Sequence, residues 1–519
     1  MNAPLAIVGV GETPPARRSE SDLRGLVLEA VSAALDDAGL APHDVDGLIS
    51  ESGIMPQTVP HQWLAAQLGV DLGFHATTSL GGAGTVSAPL LAGAALAAGL
   101  AHVVVCYFGV DWGSQAGAYA FHDVYPAKRA FEKPYGFTGQ PTYFALWAQR
   151  YRHLYGLAED DLALIALAQR QNARRNGRAQ AREPMTLEDY LASRPIADPL
   201  RAADCCLLSD GAGAYVMTST ERAGDCAKAP VQVLGTGFAS PGISGDDVFT
   251  QLPEPLEIPG AAAAAKQAFQ RAGIGPEDVD FAEIYDCFTI SALLQIEDLG
   301  FCAKGEAAAF IRDRGITSDG GLPVNTHGGL LSYSYCVGIE HVVEAVRQLR
   351  GEAGAQVSEA KIGLVGALAS PDYGVMVWAT EAMAEEIPRA PEFAGFFAGL
   401  GRRKLAFPCC RGCGRFHWYP LKHCPHCQGG DIAWQEVAGP GDLYSWTVVR
   451  YAFDPGFAQR PPYIVALVAF AEAPGVRLVS NLIEVEDQEL QIGLALEPVF
   501  PGDDRVLFRP ANNRVENPS

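Results

Sequence analysis

Two stretches far apart in the chain share one pattern, ALDDAGLAPHDVD at residues 34–46 and AFQRAGIGPEDVD at residues 268–280. Seven of their thirteen positions are identical, and the copies lie 234 residues apart. In each copy an apolar helical pattern stops at a glycine, a proline marks a turn, and a short apolar strand follows. A period this long exceeds that of a solenoid repeat, so it predicts two duplicated α/β halves.

The two halves stay similar after the repeat. The first contains GGAGTVSAPLLAGAALAAG and then HVVVCYF, and the second contains HGGLLSYSYCVGIEHVVEAVRQL and then KIGLVGAL. Each sequence indicates a glycine-rich loop, a buried helix and a buried strand. Uninterrupted apolar strands are typical of sheets that are covered on both faces.

Charge and composition exclude some classes of partner. The chain has 519 residues, 48% of them apolar, which is enough for two or three folded units. Its formal net charge of -22 at pH 7 repels nucleic acids and anionic membrane surfaces. We therefore expect small-molecule or protein partners and no nucleic acid.

The pattern of apolar residues predicts a cytoplasmic protein without a membrane span. The first twenty residues lack the basic region and the apolar core of a secretory signal. Residues 87–110 carry no Asp, Glu, Lys or Arg, but alanine and leucine give way to β-branched residues after a glycine. This change indicates a buried helix followed by a buried strand. The twelve cysteines are scattered and are expected to be reduced.

A different pattern begins after an acidic, proline-containing connector that follows Trp378. Cys410 and Cys413 are separated by ten intervening residues from Cys424 and Cys427. Two such C-x2-C turns can close a tetrahedron of four thiolates around Zn(II), which leaves no position for a catalytic water. The spacing therefore predicts a structural zinc site. The β-like runs that come next, LYSWTVVRY, YIVALVAF and LVSNLIEV, predict a small all-β module.

Other residues near the four cysteines leave alternatives open. Cys409 offers a shifted register, and three histidines lie close in sequence, His417, His423 and His426. We favour the four cysteines because only that set gives two equal turns. Basic residues also cluster here, at 402–404, 411 and 415. In so acidic a chain we interpret them as a solvated or subunit-facing surface.

Together these motifs resemble two known families. Residues 1 to about 385 resemble the thiolase superfamily, in its sterol-carrier-protein-like lipid-transfer branch, through AIVGVGETP, LEAVSAALDDAGL, DCCLLSDGAGA, EIYDCFT and NTHGG. The sequence from FFAGLGRRKLAFPCCRGCGRFHWYP onward resembles the DUF35 module, a rubredoxin-like zinc ribbon followed by an OB-fold. The resemblance implies a duplicated α/β/α/β/α domain joined to a ribbon and a β-barrel. The expected boundaries are thiolase-like halves at 1–225 and 226–385, a linker at 386–395, a zinc ribbon at 396–430 and an OB-fold at 431–519.

The residues that carry thiolase chemistry are missing from this chain. Thiolases use a nucleophilic cysteine in the first half, a second cysteine near the C-terminus, and the histidine of a Gly-His-Pro motif. The first position falls in TTSLGGAGTVSA, around Gly81 to Gly84, and the second falls in GALASPDYG. The sequence SYSYCVG stands where Gly-His-Pro is expected. An acyl-enzyme mechanism therefore lacks its nucleophile in both places.

Two tyrosines resemble the signature of steroid side-chain aldolases that work with a DUF35 partner. In that branch tyrosines stand where thiolases keep histidines, and by motif these are Tyr285 of YDCFT and Tyr335 of SYSYCVG. The resemblance implies retro-aldol cleavage of a β-hydroxyacyl-CoA, or the reverse addition. One such substrate has a tertiary β-hydroxyl group in a steroid or isoprenoid side chain. The products are a ketone or aldehyde and a shorter acyl-CoA. It also implies a homodimer through the thiolase-like domains.

The residue types suit this chemistry independently of the resemblance. Retro-aldol cleavage needs a base for the hydroxyl proton, donors for the thioester enolate, and an acid for the α-carbon. We predict Tyr335 as the base, and Tyr285 with His327 as donors or proton carriers. Asp286 is expected either to orient these groups or to cap the next helix, with Gly328 and Gly329 in support. Tyr333 is expected to pack in the interior.

Two other functions remain possible from the sequence. Cys287 and Cys336 are adjacent to the two tyrosines, and either could be a displaced nucleophile of a thiolase-like acyltransferase or condensing enzyme. The chain could also be a non-catalytic scaffold that binds acyl-CoA. In each case CoA enters as part of the ligand, and Zn(II) is structural.

Overall fold

The computed structural model describes residues 5–51, 59–78, 80–115, 126–137, 139–242, 249–250, 256–369, 371–380, 393–450, 462–502 and 505–511. Two compact units divide the chain at residue 387. Residues 386–392 of the predicted linker lie outside the described residues. Its last two residues, 394 and 395, already belong to a helix.

The strands of the N-terminal unit are β1 Leu5–Glu12, β2 Gly47–Glu51, β3 Phe74–Thr78, β4 Val104–Asp111, β5 Pro195–Ala197, β6 Leu200–Arg201, β7 Asp210–Ser219, β8 Val231–Ala239, β9 Phe281–Ile284, β10 Ile362–Ala369 and β11 Asp372–Thr380. Its helices are α1 Leu23–Ala38, α2 His61–Leu68, α3 Gly81–Ala97, α4 Pro126–Phe131, α5 Gln140–Tyr155, α6 Asp161–Asn176, α7 Leu187–Ala192, α8 Thr220–Ala223, α9 Ala261–Ala272, α10 Thr289–Asp298, α11 Ala307–Arg314, α12 Gly329–Ser332 and α13 Ile339–Arg350.

One nine-stranded sheet contains both halves, in the order β3-β2-β4-β7-β1-β8-β11-β10-β9. The first half contributes β3 to β1 and the second contributes β8 to β9, so the order of one half mirrors that of the other. The halves join where β1 pairs antiparallel with β8, at Ala6 with Gln232 and Ile7 with Val231. The strands far from this join are parallel in both halves. They are β3, β2 and β4 in the first half, and β10 and β9 in the second.

Helices cover the sheet in layers. Helix α1 packs on β1, β7 and β4, and α9 packs in the same way on β8 and β11. Between the halves, α3 contacts β10 and β11 of the second half, and α13 contacts β7 of the first. Helices α3 and α13 therefore lie between the two halves of the sheet, with α1 and α9 on the outer faces, which gives the predicted α/β/α/β/α order of layers. The first part of α3, residues 81–89, is buried, and the whole helix carries no charged residue.

The repeated sequence builds the same turn twice. Helices α1 and α9 end at Gly39 and Gly273, whose φ angles of 69° and 74° are left-handed and favour glycine. The last aspartate of each copy then accepts backbone hydrogen bonds at the start of a neighbouring strand. Asp46 accepts from the Val103 N–H, and Asp280 accepts from the Ile362 N–H, each at 2.8 Å. Identical residues therefore reflect identical contacts.

The charge-free run also follows the sequence prediction. It forms α3 and β4, and a turn at Gly99 separates them. Within the described parts of the chain, no helix has both the length and the apolar composition needed to cross a membrane.

The C-terminal unit has a helix, a two-stranded ribbon and a barrel. Its helix, α14, is Ala394–Gly401, and its strands are β12 Leu405–Cys410, β13 Ile432–Val437, β14 Gly441–Val449, β15 Tyr463–Phe470, β16 Arg477–Leu482, β17 Ala495–Val499 and β18 Leu507–Pro510. Strands β12 and β13 pair antiparallel, and β14-β15-β16-β18-β17 close a barrel. Strand β15 alternates buried and partly exposed residues, so one face fills the barrel interior. The closed five-stranded barrel agrees with the predicted OB-fold.

Candidate active site

The structure brings the two predicted tyrosines into contact. Tyr285 directly follows β9, and Tyr335 lies between α12 and α13. Their hydroxyl oxygens are 2.8 Å apart, which is hydrogen-bond distance. Tyr285 is buried, whereas Tyr335 is partly exposed. Tyr335 is therefore the less buried residue of the two.

Two amide side chains fix the backbone at Tyr285. The Gln295 amide in α10 accepts from the Tyr285 N–H at 3.1 Å and donates to the Tyr285 carbonyl at 2.8 Å. Asn325 pairs in the same way with Ile284, accepting at 2.6 Å and donating at 2.9 Å. Because each amide satisfies both a donor and an acceptor, it acts like a neighbouring strand where β9 ends.

Tyr335 is held by contacts from the first half of the unit. Its N–H donates to the Ser209 hydroxyl at 2.9 Å, and that hydroxyl donates to Gln180 at 2.9 Å. The Tyr335 ring packs edge-on against Trp112, with ring centroids 4.8 Å apart. The phenol thus lies where the two halves meet.

Burial keeps both phenols neutral in the resting site. It raises the pKa of Tyr285 and of Tyr335 well above the ordinary tyrosine value, and nearby cysteine side chains add to both shifts. The bond between the phenols raises the pKa of Tyr285 but lowers that of Tyr335. Either hydroxyl can be the donor of this bond, so the pair can pass a proton in either direction.

The N-terminus of α3 lies directly against Tyr285. A Cβ atom at Gly82 would come within 2.3 Å of Tyr285 Cε2 and 2.8 Å of the Leu368 carbonyl oxygen. The glycine therefore makes room for the phenol ring. The first N–H groups of a helix have no partner within the helix, so they form a donor site. The segment where a thiolase has its nucleophile thus places backbone donors beside a phenol.

Asp286 supports the turn that contains the glycine pair. Its carboxylate accepts from the Leu330 N–H at 2.8 Å, in the first turn of α12. A Cβ at Gly329 would meet the same carboxylate at 2.1 Å, and the φ angle of 62° there is left-handed. The predicted alternative, that Asp286 caps the following helix, is wrong, because the N-cap of α10 is Phe288. Burial raises the pKa of Asp286 to about 7.

His327 lies in a separate buried group. Its ring contacts Tyr333 and His341, with centroids 4.8 Å and 5.1 Å away, and its Nδ1 is 3.0 Å from Glu283 Oε2. Although burial lowers the pKa of His327, Glu283 raises it to about 9. Among the described contacts of the His327 ring, none is with Tyr285 or Tyr335. Tyr333 is buried, and its hydroxyl donates to Glu12 at 2.5 Å.

The two candidate thiols are poorly suited to nucleophilic attack. Cys287 and Cys336 are both buried. Burial raises the pKa of Cys287 to about 12 and that of Cys336 well above its ordinary value. Because the thiolate is the reactive form, both side chains are inert at neutral pH.

The four cysteines of the ribbon form a tight group. They are Cys410, Cys413, Cys424 and Cys427, with ligand atoms within 4.8 Å of one another. The Sγ atoms of Cys410 and Cys427 are 3.5 Å apart, and those of Cys413 and Cys424 are 3.6 Å apart. A tetrahedron with Zn–S bonds of about 2.3 Å requires a separation of about 3.8 Å. The donor set therefore fits Zn(II).

Strand geometry explains why Cys409 lies outside this group. Cys409 and Cys410 are consecutive in β12, so their side chains point to opposite faces. Of the nearby histidines, His426 contributes a backbone N–H, which donates to Cys424 Sγ at 3.4 Å. Such a bond stabilises a metal-bound thiolate.

The chain is similar in sequence to known aldolases. One relative, "Steroid side-chain-cleaving aldolase" of Thermomonospora curvata, is 37% identical over 355 residues, which is 67% of this chain and 90% of that protein. The chain belongs to the steroid side-chain-cleaving aldolase branch of the thiolase superfamily. A second member of the branch, "17-hydroxy-3-oxo-4-pregnene-20-carboxyl-CoA lyase" of Mycobacterium tuberculosis, is 38% identical over 68% of this chain and 92% of its own length.

Other comparisons agree with this assignment. The solved "Ltp2-ChsH2(DUF35) aldolase" has 35% sequence identity and a TM-score of 0.68, over 73% of this chain and 98% of that one. Family models match "Thiolase C-terminal domain-like" at residues 242–373, the "ChsH2, rubredoxin-like zinc ribbon domain" at 397–433 and the "ChsH2, C-terminal OB-fold domain" at 434–501. The predicted family, fold class and zinc ribbon are confirmed.

Several residues of this aldolase-branch site were missed from the sequence. They are Gln295, Asn325 and Trp112 around the tyrosines, and Glu283 and His341 beside His327. Glu283 and His341 carried a usable signal, because each interrupts an apolar buried element with a polar side chain. Gln295 carried the same signal, since it lies in the buried helix α10. Asn325 had no such signal, since its role depends on where strand β9 ends.

Proposed function

We propose that this chain is a carbon–carbon lyase that cleaves a β-hydroxyacyl-CoA by a retro-aldol reaction. The observation that carries the proposal is the contact between Tyr285 and Tyr335, in a site without a reactive thiol. Membership of the aldolase branch supports it. Two hydrogen-bonded phenols can accept and donate protons, which is the acid–base chemistry that this reaction needs.

The name of one relative defines the substrate class to test. A 17-hydroxy group and a 20-carboxyl-CoA place the hydroxyl on the carbon β to the thioester carbonyl. A tertiary alcohol at this carbon cannot be oxidised to a ketone without breaking a carbon–carbon bond. We propose that the substrate here is a steroid-like or branched β-hydroxyacyl-CoA, cleaved to a ketone and a shorter acyl-CoA.

The reaction balances without an added reactant. The bond between the α- and β-carbons breaks, and its electron pair forms the thioester enolate. The β-hydroxyl loses its proton and becomes the ketone oxygen, while the α-carbon gains one proton. Because the net reaction neither releases nor takes up a proton, the site needs only to move one.

A neutral pair of phenols can perform this transfer. As Tyr335 takes the proton of the substrate hydroxyl, it passes its own phenolic proton to Tyr285, and Tyr285 gives its proton to the α-carbon. Each phenol loses one proton and gains one, so neither oxygen keeps a charge and the starting state is restored. The raised pKa values suit a concerted relay better than a stored phenolate.

We propose that the first N–H groups of α3 stabilise the enolate. The contact between Gly82 and the Tyr285 ring supports this position, because it brings the helix N-terminus beside that phenol. Backbone donors at a helix start favour negative charge on a nearby oxygen. We assign the thioester oxygen to this position, and we assign His327 an indirect role through the turn that it precedes.

Cleavage of the CoA thioester in the absence of free CoA tests the proposed reaction directly. Purified full chain is incubated with 17-hydroxy-3-oxo-4-pregnene-20-carboxyl-CoA, and products are followed by mass spectrometry. We expect equal amounts of ketone and shortened acyl-CoA, with no requirement for free CoA. Cleavage of a 3-ketoacyl-CoA that depends on added CoA would indicate the acyltransferase instead, and tight binding without products would indicate the scaffold.

Replacing Gly82 with alanine is expected to slow this cleavage roughly 10²-fold, because a displacement of about 1 Å at a catalytic group has that effect. The new methyl would collide with the Tyr285 ring. Gly93→Ala in the same helix is the matched control, since its Cβ would meet only Leu5 Cδ2 at 3.6 Å. Equal rates for both variants would contradict the position of Tyr285.

Replacing either candidate thiol with alanine is expected to leave kcat within the same order of magnitude. Both thiols are buried and protonated, so neither is needed for a relay between phenols. Rates of Cys287→Ala and Cys336→Ala are compared with wild type, after thermal unfolding shows that each folds. A loss above 10²-fold, with an acyl adduct on the wild-type thiol by peptide mass spectrometry, would support the acyltransferase.

Assembly and location remain proposals. We propose a homodimer through the thiolase-like unit and a cytoplasmic location, both on the family resemblance and the sequence pattern. Light scattering on the purified chain measures the first, and cell fractionation measures the second.

A further inference from the structure

A second group of possible metal ligands lies in the N-terminal unit. Glu283 is in β9, His327 precedes α12, and His341 is in the first turn of α13. All three side chains are at most 1% exposed, and one ligand atom from each lies within 4.8 Å of the others. This group is independent of the ribbon cysteines and of the tyrosine pair.

Most polar atoms of this group lack a hydrogen bond. Among the described residues, none of the four ring nitrogens of His327 and His341 makes a hydrogen bond of ordinary geometry, and neither does Glu283 Oε2. Two of these nitrogens nevertheless approach Oε2, His327 Nδ1 at 3.0 Å and His341 Nδ1 at 3.8 Å. Buried polar side-chain atoms nearly always have a partner, and a bound ion is one accepted explanation when they have no hydrogen bond.

The surroundings hold the glutamate in a ligand orientation. Its other oxygen, Oε1, accepts from the Thr326 N–H at 3.1 Å and from the Thr326 hydroxyl at 2.7 Å. Oε2 is therefore directed at the histidines. On the far side of His341, Nε2 faces Asp286 Oδ1 at 3.7 Å. A carboxylate behind a histidine is typical of metal ligands, because it orients the ring and raises its basicity.

We propose that Glu283, His327 and His341 bind a divalent transition-metal ion, with Zn(II) as the ion that best suits the set. Two imidazoles and one carboxylate are a recognised zinc donor set, and three protein ligands leave one coordination position. The ion also compensates buried carboxylates nearby, including Glu340 and Glu344, which are each 2% exposed. It would fix the strand end that carries Tyr285 and the turn that Asp286 holds.

Counting metal ions in the full chain tests this site separately from catalysis. The protein is produced in zinc-supplemented medium, passed over chelating resin and analysed by inductively coupled plasma mass spectrometry. We expect two zinc ions per chain in wild type and one in Glu283→Gln, which keeps the size and the bond to Thr326. His153→Gln, at an exposed histidine, is the control and should keep two.

Cobalt substitution gives a second readout that does not depend on the variant folding. The ribbon ion should show thiolate-to-cobalt charge-transfer absorption, and the second ion should show only the weak bands of nitrogen and oxygen ligands. One ion per chain in wild type would overturn the proposal and leave a buried His327–Glu283 ion pair. A second ion that persists in folded Glu283→Gln would also overturn it, because the ion would then be bound elsewhere.

Discussion

Replacing Tyr335 with phenylalanine is expected to lower kcat for β-hydroxyacyl-CoA cleavage by about 10³-fold, the contribution typical of a positioned proton-transfer group. The substitution removes one oxygen and leaves the ring, so the edge-on contact with Trp112 should remain. It also removes the hydrogen-bond partner of Tyr285, whose buried hydroxyl has no other described acceptor. Substrate binding should change much less than kcat, because the lost interaction acts in the transition state.

Tyr333→Phe is the matched control, since it makes the same chemical change two residues away. The Tyr333 hydroxyl bonds to Glu12, which keeps its ion pair with Arg347 when that hydroxyl is removed. We expect a loss of stability of about 1–2 kcal/mol and an unchanged kcat. Steady-state rates and denaturant unfolding separate the two effects. Equal losses of kcat in both variants would mean that Tyr335 is structural.

Removing the ribbon zinc is expected to unfold the segment that carries the four cysteines. Structural zinc contributes roughly 10–16 kcal/mol in small zinc domains, which exceeds what a segment of this size gains from burying its own side chains. Cys424→Ala should therefore lose the thiolate-bound ion and become sensitive to protease between residues 402 and 437. Peptide mass spectrometry after limited proteolysis locates the cuts.

Cys409→Ala provides the control for this effect. It removes a thiol adjacent to Cys410, on the opposite face of β12 and outside the four-cysteine group. Zinc content and protease resistance should remain as in wild type. Loss of zinc in Cys409→Ala, with retention in Cys424→Ala, would show that the ligand set is shifted.

Most of the fold of the N-terminal unit could be predicted because the same sequence pattern occurs in both of its halves. The glycine that ends each helix and the aspartate that binds the start of a neighbouring strand are recognisable from residue type alone, and Asp46 and Asp280 make equivalent contacts. The join between β1 and β8 could not be predicted, because it uses backbone groups at Ile7 and Val231 that any apolar residues could supply. Where α14 begins, inside the predicted linker, also depends on tertiary packing rather than on a cap residue.

The site could be predicted only in part, for a related reason. The motif identified Tyr285 and Tyr335, but their contact depends on the ends of two distant elements meeting. Sequence reasoning grouped His327 with the tyrosines because it lies near Tyr335 in the chain. The turn at Gly328 and Gly329 instead separates them, and His327 lies with Glu283 and His341. Proximity in sequence is a weak guide wherever a glycine pair reverses the chain.

The most direct test of the account is cleavage of 17-hydroxy-3-oxo-4-pregnene-20-carboxyl-CoA by the purified chain in D2O, without free CoA. A retro-aldol reaction predicts an acyl-CoA product with a single deuterium at its α-carbon, an equal amount of ketone, and no mass added to the protein. An acyl group covalently attached to the protein, or products that form only after CoA is added, would contradict it.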